Sequence, residues 1–268
     1  MRGTRVKATV FLGGGRITSA LVAGLRAAGC REPIVVLDRH PSKLRQLERG
    51  YRISAETDLQ RALAQAGLLI LAVRPESVAD LVSEIANVER KFLAVSLAAG
   101  IPLSKLRSLC GGRIRWARAM PSPACRAGRG LTAITFDRTF PKPNRARVRS
   151  LFAVVGPVLE IPEHEFDAFT VTYSTSHGYH ALKTLAEAAV KLGLDRKTAF
   201  LAAAHALADA ILSWREGSTP LNDLLEEAAT PGGIAASVMD GMNSAGYVPA
   251  VQRGLQAGLS RAKTNAKS

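Results

Sequence analysis

Three consecutive glycines at positions 13–15 separate an apolar run, Val6–Leu12, from an amphipathic run, Thr18–Ala28. The first run has the length of a buried strand, and the second has helical periodicity. Gly13 permits a tight turn between them, and Gly15 lets the backbone approach a ligand more closely than a side chain would allow. Because the free N–H groups of a helix N-terminus attract anions, this turn predicts a pyrophosphate site and hence a bound dinucleotide. The alternative is an ordinary glycine-rich turn.

The residues after this turn carry further marks of a dinucleotide-binding unit. The third position of G-x-G-x-x-G is Thr18 rather than glycine or alanine, and the second predicted strand, Ile34–Leu37, ends at Asp38. An acid at that place hydrogen-bonds a ribose 2′-hydroxyl and favours NAD, whereas Arg39 and Lys43 can hold a 2′-phosphate and favour NADP. These residues leave both cofactors open.

Short apolar runs alternate with longer amphipathic runs through the first 160 residues. Such alternation is typical of βαβ units, so an α/β fold with a mainly parallel sheet is predicted. The predicted strands are Val6–Leu12, Ile34–Leu37, Leu68–Val73, Phe92–Ser96, Arg113–Ala117, Leu131–Phe136 and Val158–Ile161. The predicted helices are Thr18–Ala28, Pro41–Arg49, Ser77–Ala86, Pro102–Leu109 and Arg145–Val154.

Strand signals end after Ile161, and Pro162–Glu165 is predicted to be a hinge. Alanine- and leucine-rich helical stretches follow, which predicts an all-helical second half. We therefore predict one domain over residues 1–162 and another over residues 163–268. The helices predicted in the second domain are Ala181–Leu192, Thr198–Arg215, Leu221–Ala229, Ile234–Ser244 and Val248–Lys263.

Composition excludes several classes of protein. No apolar run reaches the 18 residues expected of a membrane span, and the N-terminus lacks the pattern of a secretory signal. Three scattered cysteines fit neither a disulfide framework nor a zinc site, which predicts a reducing, cytoplasmic location. The net charge is +14, yet no aromatic residues interleave with the basic clusters as a base-stacking surface requires. A solvated basic surface that partly serves anionic ligands is favoured over a nucleic-acid site.

Five sequence blocks together resemble the pyrroline-5-carboxylate reductase family in order and spacing. They are Gly13-Gly14-Gly15, Ala72-Val73-Arg74-Pro75, Val95-Ser96-Leu97-Ala98-Ala99-Gly100-Ile101, Arg118-Ala119-Met120-Pro121 and Thr230-Pro231-Gly232-Gly233. The segment from Gly246 to Ala257 also resembles the last helix of that family. The resemblance therefore covers nearly the whole chain.

The resemblance implies a Rossmann-type parallel sheet followed by an all-helical dimerisation domain, with dimers assembling into a larger ring. It implies that NADP, or alternatively NAD, supplies hydride to the C=N carbon of a cyclic imine, giving L-proline. The loops at the ends of successive strands would line the nicotinamide, as is usual in open α/β sheets. The predicted cofactor-binding residues are Gly13, Gly14, Gly15, Arg16, Ile17, Asp38, Arg39, Ala72, Val73, Arg74, Pro75, Ala98, Ala99 and Gly100.

The second half carries the residues predicted to bind the substrate. Thr230 is a suitable N-cap for the following helix, and the bare N–H groups at Gly232 and Gly233 can receive the carboxylate of an imino acid. A plain capping turn is the alternative. By resemblance, Ser176 belongs to the segment that closes over the substrate.

The chain departs from the family in this same region. The hydroxyl that usually follows Pro-Gly-Gly is absent until Ser237. The family's Ser-Gly-Ser-Gly-Pro-Ala-Tyr segment is replaced by residues 173–180, and its Asn-Thr-Pro-Ala segment is replaced by residues 122–124. If the reaction needs a proton donor, Tyr179, His177 and His180 are the candidates by residue type and location. No third ligand accompanies the two histidines, so no metal site is predicted.

Three functions compete. The first is NAD(P)H-dependent reduction of pyrroline-5-carboxylate by a homodimer. The second is reduction of another C=N or C=O substrate by a diverged relative. The third is a non-catalytic NAD(P)-binding protein that uses its basic charge on nucleic acid.

Overall fold

The computed structural model of the chain describes residues 7–267. Val6, the predicted start of the first strand, lies outside the described residues. Contacts divide the chain into two units. One unit runs to Tyr173 and includes the chain from Gly258 onwards, and the other comprises Ser174–Ala257.

The first unit is built on eight strands, each formed by a short apolar run. All five residues of the first strand are buried, as are most residues of its inner neighbours, because helices cover both faces of the sheet. The strands are β1 (Ala8–Leu12), β2 (Ile34–Leu37), β3 (Ser54–Glu56), β4 (Ala66–Leu71), β5 (Phe92–Ser96), β6 (Ile114–Met120), β7 (Thr132–Phe136) and β8 (Val158–Glu160).

The strand order in the sheet is β3-β2-β1-β4-β5-β6-β7-β8. The first six strands are parallel, and β7 pairs antiparallel with β6. The carboxyl ends of β1 to β6 therefore meet at one edge, which we call the carboxyl edge. This topology confirms the predicted Rossmann-type α/β fold, in which ligands bind at that edge.

Helices flank the sheet and create one hydrophobic core on each face. The helices of the first unit are α1 (Arg16–Ala27), α2 (Pro41–Gly50), α3 (Leu59–Gln65), α4 (Val78–Ala86), α5 (Leu103–Ser108), α6 (Lys142–Ala153) and α7 (Phe166–Thr172). One core contains side chains from α3, α4 and α5, and the other contains side chains from α1, α2 and α6. The sheet is thus closed off on both faces and open to ligands at its edge.

Helix α1 lies very close to the turn that follows β6. A Cβ atom added to Gly24 would lie 2.1 Å from the carbonyl oxygen of Cys125. Glycine is required there because the two backbones touch. This contact holds the C-terminal half of α1 against the turn that follows β6.

An ion pair between Arg107 and Asp137, which follows β7, fastens α5 to the sheet. The side chain of Asp137 accepts hydrogen bonds from Thr139 and from Arg107 on α5. Partial burial raises the pKa of the Asp137 carboxyl, but these hydrogen bonds outweigh it, so the pKa lies below its usual 3.8. The folded protein therefore favours the ionised form of the Asp137 carboxyl group.

The second unit consists of helices. They are α8 (Thr175–Lys191), α9 (Arg196–Glu216), α10 (Leu221–Ala228) and α11 (Ile234–Ser244), together with the beginning of α12 (Tyr247–Lys267), which crosses the boundary between the units. This confirms the predicted all-helical second half. No helix of residues 7–267 combines the length and apolar character needed to span a membrane.

The predicted elements differ from the observed ones in two intervals. The short strand β3 and the helix α3, between residues 50 and 66, and the helix α7 were not predicted, and α8 begins at Thr175 rather than at the predicted Ala181. The predicted domain boundary at residues 162 and 163 stays a prediction; contacts carry the first unit on to Tyr173 because residues of this segment bind the sheet through Arg118.

Candidate dinucleotide-binding site

The glycine turn sits at the carboxyl edge between β1 and α1. Gly13 has a φ of +112°, and its N–H donates to the carbonyl of Leu37 at 2.8 Å. A Cβ atom on Gly13 would lie 2.6 Å from the carbonyl oxygen of Ala72. The conformation and the close approach both require glycine, so the chain turns tightly between the ends of β2 and β4.

Thr18, the unusual residue of the motif, has a defined role in this turn. Its side chain is fully buried, and its hydroxyl donates to the carbonyl of Gly13 at 2.6 Å. This bond ties the first turn of α1 back to the glycine turn. The sequence shows a threonine where the motif has glycine or alanine, but nothing in the sequence indicated that its hydroxyl would bond to Gly13.

Gly15 leaves open space where a pyrophosphate would bind. It is the N-cap of α1, no side chain caps the helix, and an added Cβ would have no atom within 4 Å. The first N–H groups of the helix therefore have no side-chain acceptor, and the helix dipole favours an anion there. The turn has the open space that the phosphates of a dinucleotide require, and the binding roles of Gly13, Gly14 and Gly15 stay predictions.

Asp38 braces the turn from the end of β2. Its carboxylate accepts hydrogen bonds from the N–H of Gly14 and the N–H of His40, both at 2.8 Å, and its oxygen lies 2.9 Å from the His40 ring. Partial burial raises the pKa of Asp38, but these hydrogen bonds and the charge of Lys43 outweigh it, so its pKa is lowered. Asp38 is thus an ionised acid that holds the glycine turn.

Exposed cations surround this acid. Arg39 and Lys43 are exposed, and the Lys43 ammonium lies 3.8 Å from an Asp38 oxygen. Arg16 is exposed at the first position of α1, and Ile17 beside it is half-buried. Positive charge is therefore available on both sides of the place where a ribose would follow the pyrophosphate.

The loop after β4 lies at the same edge. Ala72, Val73 and Pro75 are half-buried, and Arg74 is exposed with its Nε 3.1 Å from Glu76. The structure thus brings residues 72–75 beside the glycine turn, where the sequence placed them.

The loop after β5 is held from behind by the last turns of α12. Ala98 and Gly100 are buried, and Gly100 has a φ of +76°. The side-chain amide of Asn265 donates to the Ala99 carbonyl at 3.2 Å, and a Cβ on Gly100 would meet the carbonyl of Ala262 at 2.7 Å. The C-terminal helix therefore fixes this predicted cofactor loop, an arrangement that the sequence did not indicate.

Beyond β6, the carboxyl edge carries a hydroxyl pair that the sequence did not predict. Ser122 is buried, and its Oγ lies 3.0 Å from the hydroxyl oxygen of Tyr173. Tyr173 ends α7 and its ring packs at a tilt against Phe169, with centroids 5.2 Å apart. Both residues belong to the first unit.

On β6, Arg118 is 1% exposed, and both of its terminal nitrogens are paired with acids. Its two terminal nitrogens donate to Glu163 at 2.9 Å and to Asp167 at 2.8 Å. Its guanidinium also lies 4.2 Å from the centre of the Phe166 ring. Arg118 therefore anchors the start of α7 to the sheet and is not available to bind a substrate anion.

The residues predicted to bind and protonate the substrate lie in the helical unit. Ser174 caps α8, and its hydroxyl lies 2.7 Å from that of Ser176. His177, Tyr179 and His180 are exposed on the first two turns of the same helix. Their roles stay predictions.

The Thr230–Gly233 segment forms a tight turn before α11. The N–H of Gly233 donates to the Thr230 carbonyl at 2.9 Å, and Gly232 has a φ of +79°. The predicted capping by Thr230 is wrong: Gly233 is the N-cap, because this turn places Thr230 outside the helix. No side chain caps α11, so its first N–H groups remain open to a carboxylate, as predicted.

Across residues 7–267, no three His, Cys, Asp or Glu side chains form a possible metal site.

The glycine turn, the parallel sheet and the helical second unit define a class, the dinucleotide-dependent oxidoreductases with a Rossmann domain and a helical domain. A family model described as NADP oxidoreductase, coenzyme F420-dependent, matches residues 9–100. A second model, pyrroline-5-carboxylate reductase dimerisation, matches residues 163–265.

Sequence similarity to individual proteins shows to which family within this class the chain belongs. The chain is 30% identical over 259 residues to the pyrroline-5-carboxylate reductase of Corynebacterium melassecola, covering 94% of this chain and 96% of the relative. It is 35% identical over 228 residues to the Thermus thermophilus enzyme of the same name, covering 83% and 85%. The chain belongs to the pyrroline-5-carboxylate reductase family. A solved structure of Plasmodium falciparum pyrroline carboxylate reductase with NADP bound shares the fold, with a TM-score of 0.87, 19% identity and coverage of 97% and 98%.

Proposed function

We propose that the protein is an NADPH-dependent reductase that converts pyrroline-5-carboxylate to L-proline. The observation that carries this proposal is the open helix N-terminus at Gly15, at the carboxyl edge of a parallel sheet, in a member of this family. When bound, the reduced nicotinamide supplies the hydride. The chain's own residues bind the nucleotide, hold the loops around it in place and position the imine.

NADP is the proposed cofactor, and NAD is the alternative. Asp38 uses one carboxylate oxygen on the Gly14 N–H and the other on His40, whereas Arg39 and Lys43 beside it are exposed. Arginine and lysine are the residues that hold a 2′-phosphate. The Plasmodium falciparum relative was solved with NADP bound, which supports the same choice.

The substrate carboxylate is proposed to bind the open N-terminus of α11 at Gly232 and Gly233. Thr230 and Ser176 are proposed as further substrate-binding residues. A free helix N-terminus supplies N–H donors and a favourable dipole for such an anion. Tyr179 and His177 are the proposed proton donors because each carries a transferable proton on an exposed part of α8.

A homodimer is the proposed assembly, and a ring of dimers is its proposed extension. The helices α8 to α11 bury few side chains, and many of their large apolar residues are exposed in the single chain. They include Leu201, Ile211, Trp214 and Ile234. Apolar surface on this scale marks an interface that a second copy covers, in agreement with the matched dimerisation model.

Sedimentation tests the dimer. The variant Leu201→Glu places a charge on the apolar face of α9 and is expected to shift the protein to monomer, while Lys197→Glu on the same helix leaves the assembly unchanged. A wild-type protein that sediments as a monomer would contradict the proposal.

We propose a cytoplasmic location, which the three free cysteines support.

The enzymatic test follows NADPH absorbance with purified protein and pyrroline-5-carboxylate. Oxidation of NADPH that depends on the imine, with proline as product, is expected. Turnover with a different imine or carbonyl compound from a panel, and none with pyrroline-5-carboxylate, would identify a diverged reductase. Salt-sensitive binding of DNA or RNA without any reductase activity would identify a non-catalytic protein.

A further inference from the structure

The Ser122–Tyr173 pair lies where a substrate beside the nicotinamide would be. Ser122 comes two residues after β6, as Ala98 comes two residues after the neighbouring strand β5. Adjacent strands in a sheet are about 4.8 Å apart. The hydroxyl pair is therefore one strand away from the predicted nicotinamide loop, at the same edge.

A count of the hydroxyl hydrogens of Ser122 and Tyr173 shows that the pair can donate one hydrogen bond to a ligand. The Oγ of Ser122 accepts from the N–H of Ala124 at 3.3 Å and shares one hydrogen bond with the Tyr173 hydroxyl. Two hydroxyls that share one bond have one hydrogen left to donate, and no acceptor for it is found among residues 7–267. Ser122 is 4% exposed, whereas Tyr173 is half-buried. When Ser122 donates to Tyr173, the remaining hydrogen lies on Tyr173, the more exposed of the two hydroxyls.

Such a chain of bonds polarises its last member. The Ala124 N–H donates to Ser122, Ser122 donates to Tyr173, and Tyr173 donates outward, so that each bond strengthens the next. The one buried arginine of this region, Arg118, is already paired with Glu163 and Asp167. A substrate anion at this edge thus has a polarised hydroxyl as its donor rather than that guanidinium.

The pair also joins the two segments that depart from the family's usual motifs. Residues 122–124 replace one motif and residues 173–180 replace another, and 51 positions separate Ser122 from Tyr173 in the chain. Their hydrogen bond shows that the two changes meet in one place.

We propose that the Tyr173 hydroxyl, oriented by Ser122, donates a hydrogen bond to a carboxylate oxygen of the imine substrate and so selects imines that carry a carboxylate. This inference rests on the proposed reductase function. Ser122 is a positioning residue, and Tyr173 is the residue that touches the substrate.

Two substrates separate this role from a structural one. The variant Tyr173→Phe is assayed with pyrroline-5-carboxylate and with 1-pyrroline, which has the same imine and no carboxylate. Losing a hydrogen bond to a charged group is expected to raise KM for the carboxylate substrate roughly tenfold to a hundredfold. KM for 1-pyrroline, kcat and the NADPH dissociation constant are expected to stay within about twofold of wild type.

Two further variants complete the experiment. Ser122→Ala keeps the tyrosine donor but removes its orienting partner, so a smaller rise in KM, confined to the carboxylate substrate, is expected. Tyr51→Phe is the matched control, because its hydroxyl accepts a bond from Arg126 and lies before β3. It is expected to behave as wild type with both substrates.

The inference is overturned if Tyr173→Phe leaves KM for pyrroline-5-carboxylate unchanged, or if it impairs both substrates equally. Equal impairment would show that the hydroxyl serves the fold or the cofactor. Wild-type protein that fails to turn over either imine would instead overturn the proposed function, so the two failures are distinguishable.

Discussion

Replacing Gly15 by alanine separates ligand binding from folding at the glycine turn. In the structure Gly15 has φ −75° and ψ −173°, which any residue can adopt, and an added Cβ meets no atom within 4 Å. Alanine restricts the unfolded chain, which favours folding by about 0.4–1 kcal/mol, but it is a poorer N-cap than glycine, which costs a similar amount. Gly15→Ala is therefore expected to change the free energy of unfolding by less than about 1 kcal/mol. The methyl group would instead occupy the space that a pyrophosphate needs.

The cost to binding follows from that overlap. An extra methyl group in a packed contact costs about 1–3 kcal/mol. At about 1.4 kcal/mol per tenfold change, the dissociation constant for NADPH rises roughly five- to 150-fold. Isothermal titration calorimetry measures this constant, and urea denaturation of the unliganded protein measures stability.

Two matched variants check the reasoning. Gly50→Ala, at the end of α2, also adds a Cβ with no atom within 4 Å and is expected to leave NADPH binding unchanged. Gly13→Ala is expected to lower stability as well as binding, because of its positive φ and its contact with Ala72. If Gly15→Ala binds NADPH as tightly as wild type, the pyrophosphate does not lie on this turn.

Four other variants test separate parts of the structure. Gly24→Ala places a Cβ against the Cys125 carbonyl and is expected to lower the urea unfolding free energy by about 1–3 kcal/mol. Arg118→Met leaves two carboxylates without their partner and is expected to cost about 3–5 kcal/mol in the same assay. The lowered pKa of Asp137 contributes stability above pH 3.8 that is lost as the pH falls further, so Asp137→Asn is expected to show a smaller acid-induced fall in melting temperature. Arg39→Ala is expected to weaken NADPH binding about tenfold and NADH binding little, as titration of both nucleotides would reveal.

The fold could be predicted where the sequence pattern is local. Apolar runs bounded by glycine and proline marked most strands, and Ile34–Leu37 and Phe92–Ser96 agree with the structure at both ends. The missed strand Ser54–Glu56 has three residues and no apolar pattern, since it forms only by pairing with β2. Helix Leu59–Gln65 is short and runs directly into β4, so its apolar residues merged with those of the strand.

The candidate site was predictable in its backbone and not in its side-chain partners. The glycine turn follows from residue type and order, which are visible in the sequence. The contact between Asp38 and Gly14 and the pairing of Ser122 with Tyr173 depend on how distant segments pack. Departures from a family's motifs marked the second pair, but only the three-dimensional structure shows that these residues meet.

The most direct test of the central claim is the fate of the hydride. NADPH deuterated at both C4 positions is supplied with pyrroline-5-carboxylate and the purified protein, and the product is examined by mass spectrometry. Proline that carries one deuterium on the former C=N carbon is the predicted result. Product without deuterium, or no consumption of either nicotinamide nucleotide by well-folded protein, would contradict the account.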